Sequence, residues 1–147
     1  MGSTTKFKAR KAIIEQLRND TVLAPESIDY NHHENRPESI SLGPQIVDDD
    51  TGIETTKSLP TYYIERYRMD LVLFVASKNT IEENEARADE LTEAIYDSIR
   101  NDPYLGLSKH GLTSCKVVET DILSGHLLEV GPMTRVDITL ELKGRIT

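Results

Sequence analysis

The chain has 147 residues and a formal charge of −8, with 25 acidic against 17 basic side chains. This length predicts one domain spanning 1–147, and the acidic balance argues against a basic surface that grips nucleic acid. The single Cys115 excludes a disulfide within the chain, and no apolar run approaches the roughly 18 residues that a membrane span needs. We therefore expect synthesis in the cytosol and no contact with a membrane.

The N-terminal part predicts one helix and two strands. Apolar residues recur at helical spacing from Lys6 to Arg18. Ser27–His32 alternates apolar and polar residues, which is typical of a short half-buried strand. Ser39–Val47 contains Gly43-Pro44, and because proline cannot donate to a central ladder we expect a bent or bulged edge strand there.

The centre of the chain predicts a long hairpin. Its tip is predicted at the polar, turn-rich segment Asp48–Ser58, beginning with Asp48, Asp49, Asp50, Thr51 and Gly52. The returning strand is Leu59–Ala76, and from Leu71 onward both of its faces are apolar, as in a strand buried on both sides.

That returning strand is too long for the domain. At roughly 3.3 Å per residue it exceeds the diameter of about 30 Å of a small domain, so either the strand bends or its first half leaves the domain body. We favour the second arrangement, in which amphipathic aromatic residues contact a partner. The arginines could pair with carboxylates of a neighbouring subunit or, equally, across strands within the chain. The predicted interface residues are Tyr62, Tyr63, Ile64, Arg66, Tyr67 and Arg68.

The second half of the chain predicts a helix and a second hairpin. Thr80–Glu83 is a capping box for a helix over Ile81–Arg100, whose apolar stripe is formed by Ala88, Leu91, Ala94 or Ile95, and Ile99. Leu112–Leu123 is predicted as a strand, Ser124-Gly125 as a turn, and His126–Val130 as the start of a return. Thr134–Leu142 alternates strictly, which indicates a sheet with one wet face. The order predicts an α+β domain: a mostly antiparallel sheet, two helices packed on one face, and a long protruding hairpin.

No motif in the chain predicts catalysis. Asp50-Thr51-Gly52 has the spelling of an aspartic-protease loop, but Asp48 and Asp49 precede it and Ile53 follows, so an exposed hairpin tip is the better interpretation. His32 and His33 are adjacent and would point to opposite faces of a strand. The acidic cluster lacks the glycine and closing glutamate positions of an EF-hand, and Cys115 is expected in the core. We expect no enzyme activity, no cofactor, and no catalytic or metal-binding residue.

The layout resembles the tail terminator, or tail completion, proteins of long-tailed bacteriophages. The resemblance covers almost the whole chain and concerns layout and length more than an invariant motif. It is carried by the helix Lys6–Arg18, the strand around Ile28–Asn31, the hairpin with its polar tip at Asp48–Ser58, the strand Tyr62–Ala76, the helix containing Ala86–Leu91, and the C-terminal strands.

The resemblance implies a structural virion protein rather than an enzyme. Its members form hexameric rings that stop polymerisation of the tail tube and present a surface for joining the head. The implied partners are further copies of the chain, the tail tube protein, and a head–tail connector or head completion protein, with DNA passing through the lumen without specific binding. The implied location is the neck region of the tail, after assembly in the host cytoplasm. Another neck or connector protein, or a small cytosolic enzyme or ligand-binding domain, remains an alternative.

Overall fold

The computed structural model describes residues 5–20, 23, 28–30, 37–55 and 63–146, and only the backbone at 48–55, 63 and 146. Four antiparallel strands form one sheet in the order β1-β2-β4-β3. Neither helix among these residues is long and apolar enough to cross a membrane. In chain order the elements are α1 (Lys6–Arg18), β1 (Glu38–Thr55), β2 (Tyr63–Val75), α2 (Ile81–Asn101), a 3₁₀ turn (Ser108–His110), β3 (Leu112–Leu127) and β4 (Gly131–Ile146). The predicted α+β class is confirmed.

The core lies between the two helices and one face of the sheet. Alternate residues of β2 and β4 point into it, as period-two patterning requires. On the other face of β4, the side chains from Arg135 to Lys143 are half-buried or exposed, so the predicted wet face is confirmed. The central strands contribute Tyr67, Met69, Leu71, Leu73, Val75, Val136, Ile138, Leu140 and Leu142 to the core.

Both predicted helices are present. The side chain of Thr80 caps α2 by accepting a hydrogen bond from the backbone N–H of Glu83 at 3.1 Å. The apolar stripe of α2 is buried against the sheet through Ala88, Leu91, Ala94, Ile95 and Ile99. Helix α1 packs its buried side, Ala9, Ile13, Ile14 and Leu17, into the same core.

Strand β1 is a bulged edge strand, as Gly43-Pro44 predicts. Between the pairs Leu42–Leu71 and Ile46–Met69 the register shifts, so that the intervening residues of β1 face Asp70 alone. A Cβ at Gly43 would lie 3.0 Å from the Cβ of Asp70, which explains the glycine. The predicted strand Ser27–His32 is represented by one parallel bridge, from Ile28 to Ile40, and 31–36 lie outside the described residues.

Residues that begin both predicted hairpin turns lie within strands. Asp48–Gly52 lies inside β1, where a second register shift between Asp48 and Ile53 absorbs the turn-forming residues as a bulge. The link to β2, residues 56–62, lies outside the described residues. Ser124-Gly125 lies inside β3 and pairs with β4, and the turn comes later, at 128–130.

The first half of the β2 segment belongs to the sheet. From Tyr63 onward β2 pairs with β4 along its full length and with β1 on its other edge. The expectation that the first half of this strand leaves the domain body is corrected for Glu65–Tyr67, because Glu65 and Tyr67 are buried.

Candidate subunit interface

The predicted interface residues separate into different environments. Tyr62 and the side chain of Tyr63 lie outside the described residues. Ile64 and Arg66 are half-buried on the outer face of the sheet. Arg68 is exposed and donates to Glu141 Oε2 at 3.2 Å, directly across the β2–β4 pair. For Arg68 the structure therefore supplies the partner within the chain that the sequence left as an alternative.

Tyr67 is a core residue. Its side chain is fully buried, and its hydroxyl is hydrogen-bonded to Thr5 Oγ1 at 2.8 Å. Burial raises the pKa of this phenol well above its ordinary value, with a smaller contribution from the charge of Glu65. The prediction that Tyr67 contacts a partner is corrected, because its ring is enclosed by the chain's own core.

Glu65 holds the start of α1. One of its carboxylate oxygens, Oε1, accepts from the Thr5 backbone N–H at 2.6 Å and from the Thr5 hydroxyl at 2.7 Å. Helix N-termini carry unpaired N–H groups and a partial positive charge, so a carboxylate from β2 is a suitable partner there. Sequence reasoning missed this role, although period two places Glu65 on the same face as Tyr67 and Met69, where a charge stands out.

Several exposed apolar residues lie together at the far end of the second hairpin. We call 127–130 the apolar tip: Leu127 and Val130 are exposed, and Leu128 has no side-chain cover at all (107% relative exposure). Ile122 and Leu123 extend the apolar surface down β3 and are 67% and 64% exposed. Sequence reasoning placed a turn at Ser124-Gly125 and so missed this tip, although two apolar pairs flanking a Gly were a visible signal.

The apolar tip extends past the N-terminal end of helix α2. The Asn84 side-chain amide donates to Pro132 O at 3.0 Å, and Ser124 Oγ donates to Glu85 Oε1 at 2.8 Å. These contacts set the first turn of α2 level with Ser124 and Pro132. The residues from 127 to 130 lie beyond that level, which explains their exposure.

A groove of about 670 Å³ lies between the last turns of α2 and strand β3. Its apolar lining includes Tyr96, Ile99, Val117 and Val118. A hydrogen bond between Tyr96 and Thr120 closes the groove at the end nearer the apolar tip. A register shift between Val117 and Glu119 forms a bulge in β3. Val118 lies on this bulge, is exposed, and has no pairing partner on β4. We call this feature the β3 groove.

Cys115 also lines the β3 groove but is almost fully buried, which confirms its predicted core position. Burial raises the pKa of its thiol to about 12. A thiol with so little thiolate at neutral pH is a poor nucleophile.

The rim of the β3 groove carries charges. Arg100 pairs with Asp97 at 2.7 Å, and Lys116 lies 3.6 Å from Glu141. Arg100 and Lys116 themselves line the groove together with one acid, Glu119. Exposed pairs of this kind are weak, so both cations can turn toward an incoming group.

The acidic cluster of the first hairpin is not assembled into a described site. Asp48–Gly52 is described by its backbone alone, and His32 and His33 lie outside the described residues. Within the described part of the chain, no group of three or more His, Cys, Asp or Glu side chains is placed to hold a metal ion.

Comparison with known proteins gives a likeness of fold. No protein family and no curated protein matches the sequence. The chain is similar in structure to a chain of a solved virion of a native gene transfer agent particle, with a TM-score of 0.56 and 16% sequence identity. The alignment covers 92% of this chain and 93% of that chain. At this identity the similarity shows a shared α+β fold over nearly the whole length of both chains.

Proposed function

We propose that this chain is a structural protein of a virion, acting as the tail terminator at the head-proximal end of a tail tube. The supporting observation is the shared fold with a virion chain, which extends over nearly all of both proteins. If the similarity came from a module inserted into otherwise unrelated proteins, the alignment would cover only part of each chain. The sequence layout resembles tail terminator proteins independently of that comparison.

In this function the chain acts by shape. Six copies close into a ring, one face of which covers the tube end and stops its growth, while the other receives the head connector. Closed rings arise from heterologous contacts whose rotation closes. A charge of −8 on each copy suits a lumen through which DNA slides, because like charges keep the polyanion from binding.

Two ionisable groups among the described residues are engaged or buried. The carboxylate of Glu65, buried beside α1, accepts two hydrogen bonds from Thr5. The cysteine that lines the β3 groove is buried, with a raised pKa. The β3–β4 hairpin exposes apolar side chains on the described surface, and such area suits binding.

The test is complementation of tail assembly. Particles made without this chain are expected to have overlong tails or tails not joined to heads, and supplying the chain should restore normal virions. Imaging of restored tails should show six copies at the tube end. Normal virions without the chain would contradict the proposal, and a different copy number would contradict the hexamer.

A further inference from the structure

We propose that the apolar tip of one copy of this chain docks in the β3 groove of a second copy, head to tail. This names the subunit contact of the ring and rests on the proposed function only for the closure of that ring. The contact itself follows from two surfaces on the described part of one chain.

The apolar tip is a rigid, exposed knob. The two strands that carry it pair up to Leu127 and Gly131, and Gly131 has the positive φ of +87° that lets the chain turn back. Soluble proteins rarely leave contiguous apolar side chains uncovered unless they form an interaction site. A turn fixed by paired strands also loses little conformational freedom on binding.

The β3 groove has a suitable size and lining. Its volume of about 670 Å³ falls within the range of roughly 300–1,000 Å³ for concave sites that enclose a ligand. Its aromatic and aliphatic walls, Tyr96, Ile99, Val117 and Val118, match the side chains of Leu127, Leu128 and Val130.

Charge favours a second copy as the occupant. The apolar tip carries one formal charge, that of Glu129. The groove lining carries two cations, Arg100 and Lys116, against the single acid Glu119. Both cations already pair with acids outside the lining, Asp97 and Glu141. Because such exposed pairs are weak, the cations can exchange these partners for Glu129 of the tip.

Geometry excludes a contact of the tip with its own groove. From Val118 to Leu128 the strand rises ten residues, or about 33 Å at roughly 3.3 Å per residue. A groove that receives this tip therefore belongs to another copy. Because the two surfaces differ, the contact is heterologous and leaves one free tip and one free groove at the ends of any chain of subunits.

The rival arrangement is pairing of two β3 edges. β3 is an edge strand among the described strands, and open edges can add a strand. Two register shifts, at Thr113 and at Val118, interrupt the first part of its ladder, so pairing of two edges is confined to Glu119–Leu127. In an antiparallel pair there, Leu123 would face Leu123 of the other copy.

A mixing experiment tests the contact. Leu128→Asp removes a functional tip but leaves the groove, and Val118→Asp does the reverse. Each variant alone should lose self-association by about 30-fold or more, as for a central interface residue. An equimolar mixture should form a dimer that does not extend, since it contains one intact tip and one intact groove. Phe7→Asp adds the same charge at an exposed apolar position on α1 and should associate like the wild type.

Disulfide trapping decides the question even if association is weak. Leu128→Cys mixed with Val118→Cys should yield a mixed disulfide under mild oxidation, while the buried native Cys115 stays unreactive. A homodimer of Leu123→Cys alone, at the centre of the unbroken ladder Glu119–Leu127, would indicate antiparallel pairing of two β3 edges and overturn the proposal. Absence of the mixed disulfide would also overturn it.

The outcomes for the contact and for the function are separable. A mixed disulfide together with normal virions in the absence of the chain would uphold the contact and reject the tail terminator function. If no mixed disulfide forms but tails made without the chain are defective, the contact is rejected and the tail terminator function is upheld.

Discussion

The two hairpins of this molecule have similar strands and different neighbours. Strand β2 of the first hairpin lies between β1 and β4 with helices over one face, and its alternate residues from Glu65 to Val75 are buried. Among the described strands, β3 of the second hairpin has a neighbour on one edge only, and its distal half is exposed. An apolar residue on a strand becomes core or binding surface according to the strands and helices around it.

The two hairpins also differ in how far the helices cover them. Helix α2 begins at Ile81, near the level of Ser124 and Pro132. Tyr67 lies beneath the helices, whereas Leu128 lies past them. Four substitutions test this contrast, from the largest expected effect to the smallest.

Tyr67→Ala should destabilise the isolated chain by about 3–5 kcal/mol, the cost of truncating a large buried ring. Equilibrium unfolding in urea measures this value. Tyr67→Phe is the matched control: it keeps the ring, loses the bond to Thr5, and should cost about 0.5–1.5 kcal/mol. A stable Tyr67→Ala variant with impaired assembly would restore Tyr67 as an interface residue.

Glu65→Ala should destabilise the chain by about 1–3 kcal/mol, because the backbone N–H and hydroxyl of Thr5 lose a buried acceptor. Glu65→Gln retains a carbonyl oxygen and should cost less. Hydrogen exchange of the first turn of α1 reports the local effect. Equal protection of α1 in wild type and Glu65→Ala would show that the carboxylate does not hold the helix.

The sequence predicts what depends on local pattern. Helix α2 follows from its capping box and stripe, β4 from strict alternation, and the β1 bulge from Gly43-Pro44. The hairpin turns are misplaced because Asp, Thr, Ser and Gly can also lie within a strand. Asp48–Gly52 does so at a bulge, and Ser124-Gly125 does so in regular pairing with β4.

The candidate interface could not be located from pattern alone. Tyr67 and Leu128 are both large residues near a predicted hairpin, and only the strand order and the position of α2 separate them. Strand order depends on pairing between distant segments, which one sequence does not display. Glu65 is different, since a charge on an apolar strand face was readable in advance.

Acidification tests the edge of the first hairpin, where Glu38 at the start of β1 binds Arg87 of α2 at 2.9 Å. Burial alone would raise the pKa of Glu38, but hydrogen bonds from Arg87 and Ser77 overcome this and hold it below the usual 4.5. Its stabilising contribution is therefore present above pH 4.5 and is lost as the pH falls through the lower folded pKa.

Glu38→Gln measures that contribution. The pair is partly exposed, so the variant should be less stable than wild type by roughly 0.5–1 kcal/mol near neutral pH. The difference should close well below pH 4.5, where the wild-type carboxyl is protonated too. Urea unfolding at both pH values checks this, and a difference that grows on acidification would have the wrong sign.

Leu128→Ser should leave the stability of the isolated chain within about 0.5 kcal/mol of wild type, because substitution of an exposed side chain removes no internal packing. Tyr67 and Leu128 would then differ by several kcal/mol in unfolding although both are large residues in paired hairpins. Thermal unfolding at low protein concentration, where copies do not associate, is the measurement. A marked loss of stability for the monomer would mean that Leu128 packs within its own chain. That result would contradict the proposal that the apolar tip is a binding surface.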